Sequence, residues 1–234
     1  MNTPELEQRQ VVVIGAGPSG AIAAALLKRN GHDVLVLERQ RFPRFSIGES
    51  LLSHCLDFVE EAGMLEAVQA AGFQTKHGAA FAWGERYTEF DFRDKFTEGK
   101  GSTYQVLRVE IRYEEEITAV DFSGARSGAC PRLTVRRLAD GVEYQVECAF
   151  VLDGSGYGRV LPRLLDLDIP SHLPMRRALF THVEDRITAD AGFDREKILI
   201  TTHPTLRDVW FWTIPFSNGR CSLGVVAEAG RYEG

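Results

Sequence analysis

The hydrophobic and polar positions of this chain follow two different periods, which predicts a mixed α/β protein. Residues 11–14 form a short run of β-branched residues, typical of a parallel strand that is covered on both faces. Residues 21–29 then have helical spacing, and Gly31 ends that helix. A second apolar run at residues 33–37 has the length of a strand. Strand, helix and strand within about 30 residues predict a β-α-β unit.

The rest of the chain is richer in strand-like patterns than in helical ones. Residues 51–62 have helical spacing, with Ser50 placed to cap the helix, and residues 160–167 also read as a helix. Residues 133–138 and 143–152 flank a hairpin signal at Ala139-Asp140-Gly141. The second half alternates like an antiparallel sheet, with strands predicted at Arg176–Glu184, Lys197–Thr202, 208–215 and 220–226.

Two places in the pattern are unusual. Two strand-like runs meet at residues 104–113 without a turn residue between them, which indicates a deleted or omitted helix. The last strand is followed by only a short polar tail without a closing helix, so either a domain ends there or, as we expect, the chain is part of a longer protein.

Composition and charge narrow the possible partners. With 234 residues the chain forms one large domain or two interlocked ones, and its net charge of −6 without a basic stripe argues against nucleic acid. No apolar run approaches the roughly 20 residues that a membrane span needs, and the polar N-terminus predicts a cytoplasmic protein. The four cysteines and six histidines are not placed at metal-ligand spacing, so no metal site is predicted.

The strongest local signal is a glycine-rich loop that follows the first predicted strand. Gly15 would allow the tight turn, Gly17 would let a diphosphate approach the backbone, and Gly20 would let helix and strand pack closely. The predicted binding loop consists of Gly15, Ala16, Gly17, Pro18, Ser19 and Gly20. The helix N-terminus adds N–H groups and a partial positive charge for the phosphates.

Glu38 lies at the end of the second predicted strand, some 20 residues after the loop. Its carboxylate would accept hydrogen bonds from ribose hydroxyls and would repel a 2′-phosphate, which favours FAD or NAD over NADP. The glycine motif by itself does not distinguish FAD from NAD.

Four further segments resemble a known family. The segment Arg41 to Ser50 resembles the FPRF-x-x-GES loop of the halogenase and geranylgeranyl-reductase branch of FAD-dependent oxidoreductases. Residues 150–158 resemble the family's D-[AG]-[ST]-G turn, and residues 76–84 resemble the K-x-G-x-x-F-x-W-G stretch of phenol and pyrrole halogenases. The hexamer Trp210-Phe211-Trp212-Thr213-Ile214-Pro215 resembles the W-x-W-x-I-P signature of flavin-dependent halogenases.

The resemblance implies a Rossmann-like, glutathione-reductase-type FAD-binding domain at residues 1–70 and 103–170. It also implies an antiparallel β-sheet substrate domain at residues 71–102 and 171–234. Beyond the glycine loop and Glu38, it assigns cofactor contacts to Arg39, Ile47, Gly48, Glu49, Ser50, Arg108, Asp153 and Gly154. Solvated arginines in a surface loop are the alternative interpretation of the segment around Ile47.

The resemblance also assigns the substrate side of the site. Lys76 matches the lysine that meets hypohalous acid, and its alternative role is an ordinary solvated lysine. Trp210, Trp212 and Ile214 would share one strand face and, with Pro215 ending the strand, would form a barrier between flavin and substrate. A plain core strand is the alternative for this motif.

The implied activity is halogenation of an electron-rich aromatic such as a phenol or pyrrole, free or tethered to a carrier protein. It would use reduced FAD, O2 and chloride or bromide, through a flavin C4a-hydroperoxide and hypohalous acid, in natural product biosynthesis. A separate flavin reductase would supply the reduced FAD. The alternatives are an FAD-dependent monooxygenase or geranylgeranyl-type reductase, and an inactive fragment that binds flavin or a carrier protein.

Overall fold

The computed structural model describes residues 6–42, 50–94, 111–188 and 192–232. The chain divides into two compact units, each built around its own six-stranded sheet. Unit 1 comprises Met1–Glu49, Phe58–Leu65 and Val106–Ile169, and unit 2 comprises Ser50–Asp57, Glu66–Gln105 and Pro170–Gly234. The α/β fold class predicted from the pattern is confirmed.

The described residues form twelve strands and four α-helices, and each kind is numbered in chain order. The strands are β1 (Leu6–Ile14), β2 (Val34–Glu38), β3 (Gly78–Trp83), β4 (Arg86–Asp91), β5 (Ile111–Tyr113), β6 (Glu115–Asp121), β7 (Arg132–Arg137), β8 (Glu143–Asp153), β9 (Arg176–Glu184), β10 (Lys197–Thr202), β11 (Trp210–Pro215) and β12 (Arg220–Glu228). The helices are α1 (Pro18–Arg29), α2 (Cys55–Glu61), α3 (Leu65–Ala70) and α4 (Val160–Leu164). No helix in these ranges is long and apolar enough to cross a membrane.

The sheet of unit 1 has the order β5-β2-β1-β8-β7-β6. Strands β5, β2, β1 and β8 run parallel, β7 is antiparallel to β8, and β6 is antiparallel to β7. The central strand β1 is apolar where it is covered on both faces, and Val12 and Val13 are fully buried. The predicted β-α-β unit is confirmed, and β1 begins earlier than predicted because its polar half, from Leu6, pairs with β8.

The sheet of unit 2 has the order β4-β3-β10-β11-β12-β9. It is antiparallel as predicted except at one pair, β3 with β10, which is parallel. These two strands are separated in sequence by the whole second segment of the unit 1 sheet, so no short turn forces them to run in opposite directions.

The predicted cap at Ser50 is wrong. Helix α2 begins at Cys55, whose N–H donates to the carbonyl of Leu52, so Ser50 lies several residues before the first helical turn. Only residues 55–61 of the helical pattern at residues 51–62 form an α-helix, because the first residues fold as a turn instead. Helix α4 likewise stops at Leu164, three residues before the predicted end.

Candidate functional site

A cavity of about 440 Å³ lies in unit 1, at the carboxyl ends of its parallel strands. This volume is typical of a site for a small molecule, and the position is where open α/β sheets bind ligands. The predicted cofactor residues that line it are Gly15, Gly17, Pro18, Ser19, Glu38, Arg39 and Gly154. Ala16, Gly20 and Asp153 do not line it but contact the lining residues Glu38, Gly15 and Ser155 respectively.

The glycine loop is fixed by backbone packing at two of its three glycines. Gly15 has a φ of +90°, and a Cβ there would lie 2.8 Å from the carbonyl oxygen of Gly154. A Cβ on Gly20 would lie 2.1 Å from the carbonyl oxygen of Gly15. Around Gly17, by contrast, a Cβ would meet nothing within 4 Å, because this residue borders the open cavity at the N-terminus of α1. A side chain at Gly17 would therefore occupy space that a ligand needs.

Glu38 is a buried carboxylate, 6% exposed, that supports the loop from β2. Its Oε2 accepts the N–H of Ala16 at 2.9 Å, and its Oε1 accepts the N–H of Gln40 at 2.8 Å. Each carboxylate oxygen keeps a further lone pair, so Glu38 can also accept hydrogen bonds from ribose hydroxyls at the cavity wall.

Asp153 shapes the second glycine turn. Its Oδ1 accepts the N–H of Ser155 at 2.9 Å, and its Oδ2 accepts the N–H of Leu161 at 2.8 Å, at the start of α4. This turn presents Gly154, whose Cβ position would be 2.9 Å from the Cα of Gly20. Asp153 therefore holds the wall of the cavity in place and is a positioning residue.

Several cavity residues were missed by the sequence analysis. They are Gln40, Glu115, Glu116, Ile117, Tyr157, Val160 and Arg163. Arg39 pairs with Glu116 at 3.2 Å, and a hydrogen bond from Arg136, aided by the charge of Arg39, holds the pKa of Glu116 below its usual range. The only signal was the place of Glu115 and Glu116 directly after a parallel edge strand, which puts them at the carboxyl edge of the sheet.

The cavity fits an adenine dinucleotide such as FAD. The glycine loop leaves backbone space for a diphosphate at the N-terminus of α1, and Glu38 supplies an acceptor for a ribose. Of the other predicted contacts, Ser50 is half-buried, and Ile47, Gly48, Glu49 and Arg108 lie outside the described residues.

Lys76 is a buried lysine of unit 2, 4% exposed. Its Nζ donates a hydrogen bond to the carbonyl oxygen of Arg195 at 2.8 Å. Burial lowers the pKa of Lys76 to about 8, opposed mainly by the nearby Cys221. An amine form is therefore accessible close to neutral pH, which an ordinary surface lysine does not provide.

The tryptophans of the hexamer lie on β11, and the ring centroids of Trp210 and Trp212 are 6.1 Å apart. Trp212 is buried, and its Nε1 donates to Ser222 Oγ at 3.0 Å. The ring of Trp212 lies over Gly224, where a Cβ would be 2.1 Å from the ring atom Cζ2. Pro215 ends β11 as predicted.

Lys76 and the two tryptophans belong to opposite faces of the unit 2 sheet. Trp210 and Trp212 share a face with Ser222, which accepts the indole hydrogen bond of Trp212. Cys221 is the next residue on β12 and therefore points to the other face. The strand register aligns that face with Leu199 and Ala80, and Lys76 lies four residues before Ala80 and so on the same side. Within unit 2, the structure does not bring the lysine and the tryptophans together.

Comparison with known proteins identifies relatives of this chain. The model of the tryptophan halogenase family matches residues 10–164. A 1H-pyrrole-2-carbonyl-[peptidyl-carrier protein] brominase of Pseudoalteromonas luteoviolacea is 27% identical over 95% of this chain and 55% of its own length. This chain thus spans about half the length of that relative.

Two solved structures are similar over nearly the whole chain. A flavoprotein/dehydrogenase from Cytophaga hutchinsonii is 39% identical with a TM-score of 0.85, covering 97% of this chain and 57% of that one. The myxobacterial chondrochloren halogenase CndH, described as a variant of FAD-dependent halogenases, is 29% identical with a TM-score of 0.75, covering 97% and 54%. The family match extends over well more than half of the sequence, from β1 to α4, and the chain belongs to the tryptophan halogenase family.

Proposed function

We propose that this chain carries the FAD site and the catalytic lysine of a flavin-dependent halogenase that acts on an electron-rich aromatic, such as a phenol or pyrrole. Bound reduced FAD, with O2, supplies the oxidation of chloride or bromide to hypohalous acid. The observation that carries the proposal is the buried amine of Lys76 within a halogenase motif, in a chain whose other sheet has a dinucleotide cavity.

The residues of unit 1 hold the cofactor in this proposal. The backbone of the glycine loop and the N-terminus of α1 bind the diphosphate, and Glu38 accepts hydrogen bonds from the adenosine ribose. Arg39 and Gly154 contact the cofactor from the cavity wall, while Asp153 keeps the turn of Gly154 in shape. The motif positions Ile47, Gly48, Glu49, Ser50 and Arg108 complete the proposed contacts.

Lys76 performs the chemistry at the substrate. Its ammonium form donates a hydrogen bond to hypohalous acid and polarises it. Its amine form takes the halogen from hypohalous acid as a haloamine beside the aromatic carbon, the O–halogen bond breaking and the hydroxyl leaving with an amine proton as water. Both forms are available because burial brings the pKa of Lys76 down to about 8. Trp210, Trp212, Ile214 and Pro215 are proposed to act as the barrier that separates an organic substrate from the flavin.

The partners follow from the same chemistry. A separate flavin reductase would supply reduced FAD, and the protein would act in the cytoplasm on chloride or bromide. The similar brominase from Pseudoalteromonas is named for a pyrrole on a peptidyl-carrier protein, which supports a carrier-tethered substrate beside the free one.

The test compares Lys76→Met with Lys197→Met in a bromination assay with reduced FAD, O2, bromide and a panel of phenols and pyrroles. Lys197 is the matched control, because it is 7% exposed in the same sheet and pairs with Glu89. We expect the paired bromine isotope pattern in products of the wild type and Lys197→Met, with at least a hundredfold loss in Lys76→Met. Equal bromination by all three proteins would mean leaked oxidant and would remove Lys76 from its role.

The second candidate is a flavin-dependent dehydrogenase or reductase. The observation that favours it is the similarity to the Cytophaga flavoprotein/dehydrogenase, which has the higher identity and TM-score of the two structures described above. Rapid anaerobic reduction of bound FAD by NADPH, independent of halide, together with no bromination, would favour this function over halogenation.

A further inference from the structure

The halogenase motif identifies Lys76, but it leaves open how the structure controls this amine. The acceptor of its hydrogen bond is a main-chain carbonyl, that of Arg195, 119 residues farther along the chain. A carbonyl is a fixed acceptor only when its own segment is held in place, so the residues that hold Arg195 also determine where the Nζ of Lys76 lies.

The segment around Arg195 is held from two sides. The N–H of His77, next to Lys76, donates to the carbonyl of Glu196 at 2.8 Å, and the N–H of Lys197 donates to Asp194 at 3.0 Å. The guanidinium of Arg195 forms an ion pair with Asp185, whose side chain is only 1% exposed.

The position of Asp185 is itself fixed by hydrogen bonds of its backbone N–H and of its second carboxylate oxygen. Its N–H donates to the carbonyl of Gly219 at 2.8 Å, and its Oδ1 accepts the N–H of Ile187 at 2.9 Å. Asp185 therefore connects the end of β9, the turn between β11 and β12, and the turn that precedes β10. A buried carboxylate with this many bonds has little freedom to move, and it transmits that constraint to Arg195.

We propose that the ion pair of Asp185 and Arg195 is the positioning device of Lys76. The pair holds the carbonyl that accepts the Nζ hydrogen bond, and its two charges act on the ammonium of Lys76 in opposite directions. This inference rests on the proposed role of Lys76 and extends it to two residues that touch neither FAD nor the aromatic substrate.

The charges around Lys76 predict the direction in which its pKa should change when either partner of the ion pair is neutralised. A purely structural role of the pair predicts no such direction. After burial, the groups that act on the pKa of Lys76 are Cys221, Arg195, Asp194 and Asp185. Arg195 lowers this pKa, whereas Cys221 and the two aspartates raise it. Removing the charge of Asp185 should therefore shift the pKa of Lys76 down, and removing the charge of Arg195 should shift it up.

The experiment follows the 13Cε resonance of Lys76 with pH in protein labelled with 13C-lysine. The resonance is assigned by its disappearance in Lys76→Met, since the other lysines are Lys28, Lys95, Lys100 and Lys197. We expect a wild-type midpoint of about 8, a fall of roughly half a unit or more in Asp185→Asn, and a rise of similar size in Arg195→Gln. Arg195→Lys, which keeps the positive charge, should return the midpoint most of the way to the wild-type value.

Asp208→Asn is the matched control, because Asp208 also pairs with an arginine of unit 2, Arg231 at 2.6 Å, and is absent from the charges that act on Lys76. The titration midpoint of Lys76 in Asp208→Asn should equal that in the wild type. Shifts of the same sign in Asp185→Asn and Arg195→Gln, or no shift in either folded variant, would overturn the proposal. The titration needs no flavin, halide or substrate, so its result is independent of whether the protein halogenates anything.

Discussion

Gly224 is the glycine on which the aromatic face of unit 2 depends. The ring of Trp212 covers it so closely that a Cβ would lie 2.1 Å from Cζ2. Gly224→Ala should therefore destabilise the fold by about 1–3 kcal/mol, because the buried, hydrogen-bonded indole would have to shift to make room for the methyl group. Urea denaturation of the variant and of the wild type measures this difference.

Gly230→Ala is the control for that substitution, since a Cβ at Gly230 meets nothing within 4 Å and stability should be unchanged. The double variant Gly224→Ala, Trp212→Leu should recover part of the loss, because the smaller side chain makes room for the methyl group. Equal stability of Gly224→Ala and the wild type would show that the indole is not packed on this backbone.

The buried amine of Lys76 predicts a rise of stability with pH. The pKa is about 8 in the folded state and 10.5 in the unfolded state, so the unfolded chain binds more protons between these values. The free energy of unfolding should therefore increase from pH 8 to 10.5, by up to about 3 kcal/mol, and contribute nothing further above that range. Lys76→Met lacks this contribution.

The measurement is urea denaturation of the wild type and Lys76→Met at several pH values from 7 to 10.5. Lys76→Met should be more stable than the wild type at pH 7, and this difference should shrink steadily as the pH rises to 10.5. The reason is that only the wild type has a buried charge, which is removed as Lys76 loses its proton. A constant difference between the two proteins would mean that the lysine keeps an ordinary pKa.

Strands β1 and β5 both pair with β2, and an ion pair also connects them directly. Arg112 on β5 donates to both carboxylate oxygens of Glu7 on β1, at 2.7 and 2.8 Å, and this hydrogen bonding lowers the pKa of Glu7 to about 2. The resulting stabilisation is present above pH 4.5 and is lost as the pH falls towards 2, because the carboxylate must then be protonated.

Glu7→Gln should therefore lower the free energy of unfolding by about 1 kcal/mol at pH 7, and the difference from the wild type should vanish near pH 2. Glu85→Gln, in the turn between β3 and β4, is the control. A difference that stays the same at all pH values would show that the glutamine disturbs packing and that the ion pair contributes little.

Local chemistry made the first β-α-β unit predictable, because strand, glycine loop, helix and Glu38 all lie within a short stretch of sequence. The hairpin of β7 and β8 was equally accessible through its turn at Asp140 and Gly141. The parallel pairing of β3 with β10 was not, since it joins distant segments and leaves no signal in either one. The prediction that Ser50 caps α2 was wrong for a different reason. Its side chain is suitable for a cap, but the residues that follow it form a turn before the helix begins.

The same contrast applies to the candidate site. Glu38 and the glycines were identified from spacing, and Lys76 and the tryptophans from resemblance. The hydrogen bond of Lys76 to Arg195 and the ion pair of Arg195 with Asp185 depend on long-range pairing of unit 2, which no spacing reveals. Alternation did place Trp210 and Trp212 on one face, but it could not relate that face to a lysine on another strand.

The location of the cavity predicts how the molecule as a whole should respond to FAD. Hydrogen exchange should slow on binding at residues 14–19, 37–40 and 154–160 of unit 1, because a bound ligand suppresses local opening there. The proposed cofactor role of these segments requires that this protection scale with the occupancy of FAD. Mass spectrometry of pepsin fragments measures it.

Gly17→Val is the matched variant for that measurement. A side chain at Gly17 has free space in the protein itself, so the variant should fold normally and lose most of the FAD-dependent protection. Protection of the same segments in Gly17→Val would show that the cofactor does not need the space beside Gly17.

The two faces of the unit 2 sheet can be changed independently in engineering. Adjacent positions on β11 point in opposite directions, so a library at Trp210, Trp212 and Ile214 changes only the aromatic surface, and one at Phe211 and Thr213 changes only the side of Cys221. The proposed barrier and the side of the amine can therefore be evolved in separate rounds, with improvements combined afterwards, whereas inserting one residue into β11 would exchange both surfaces at once.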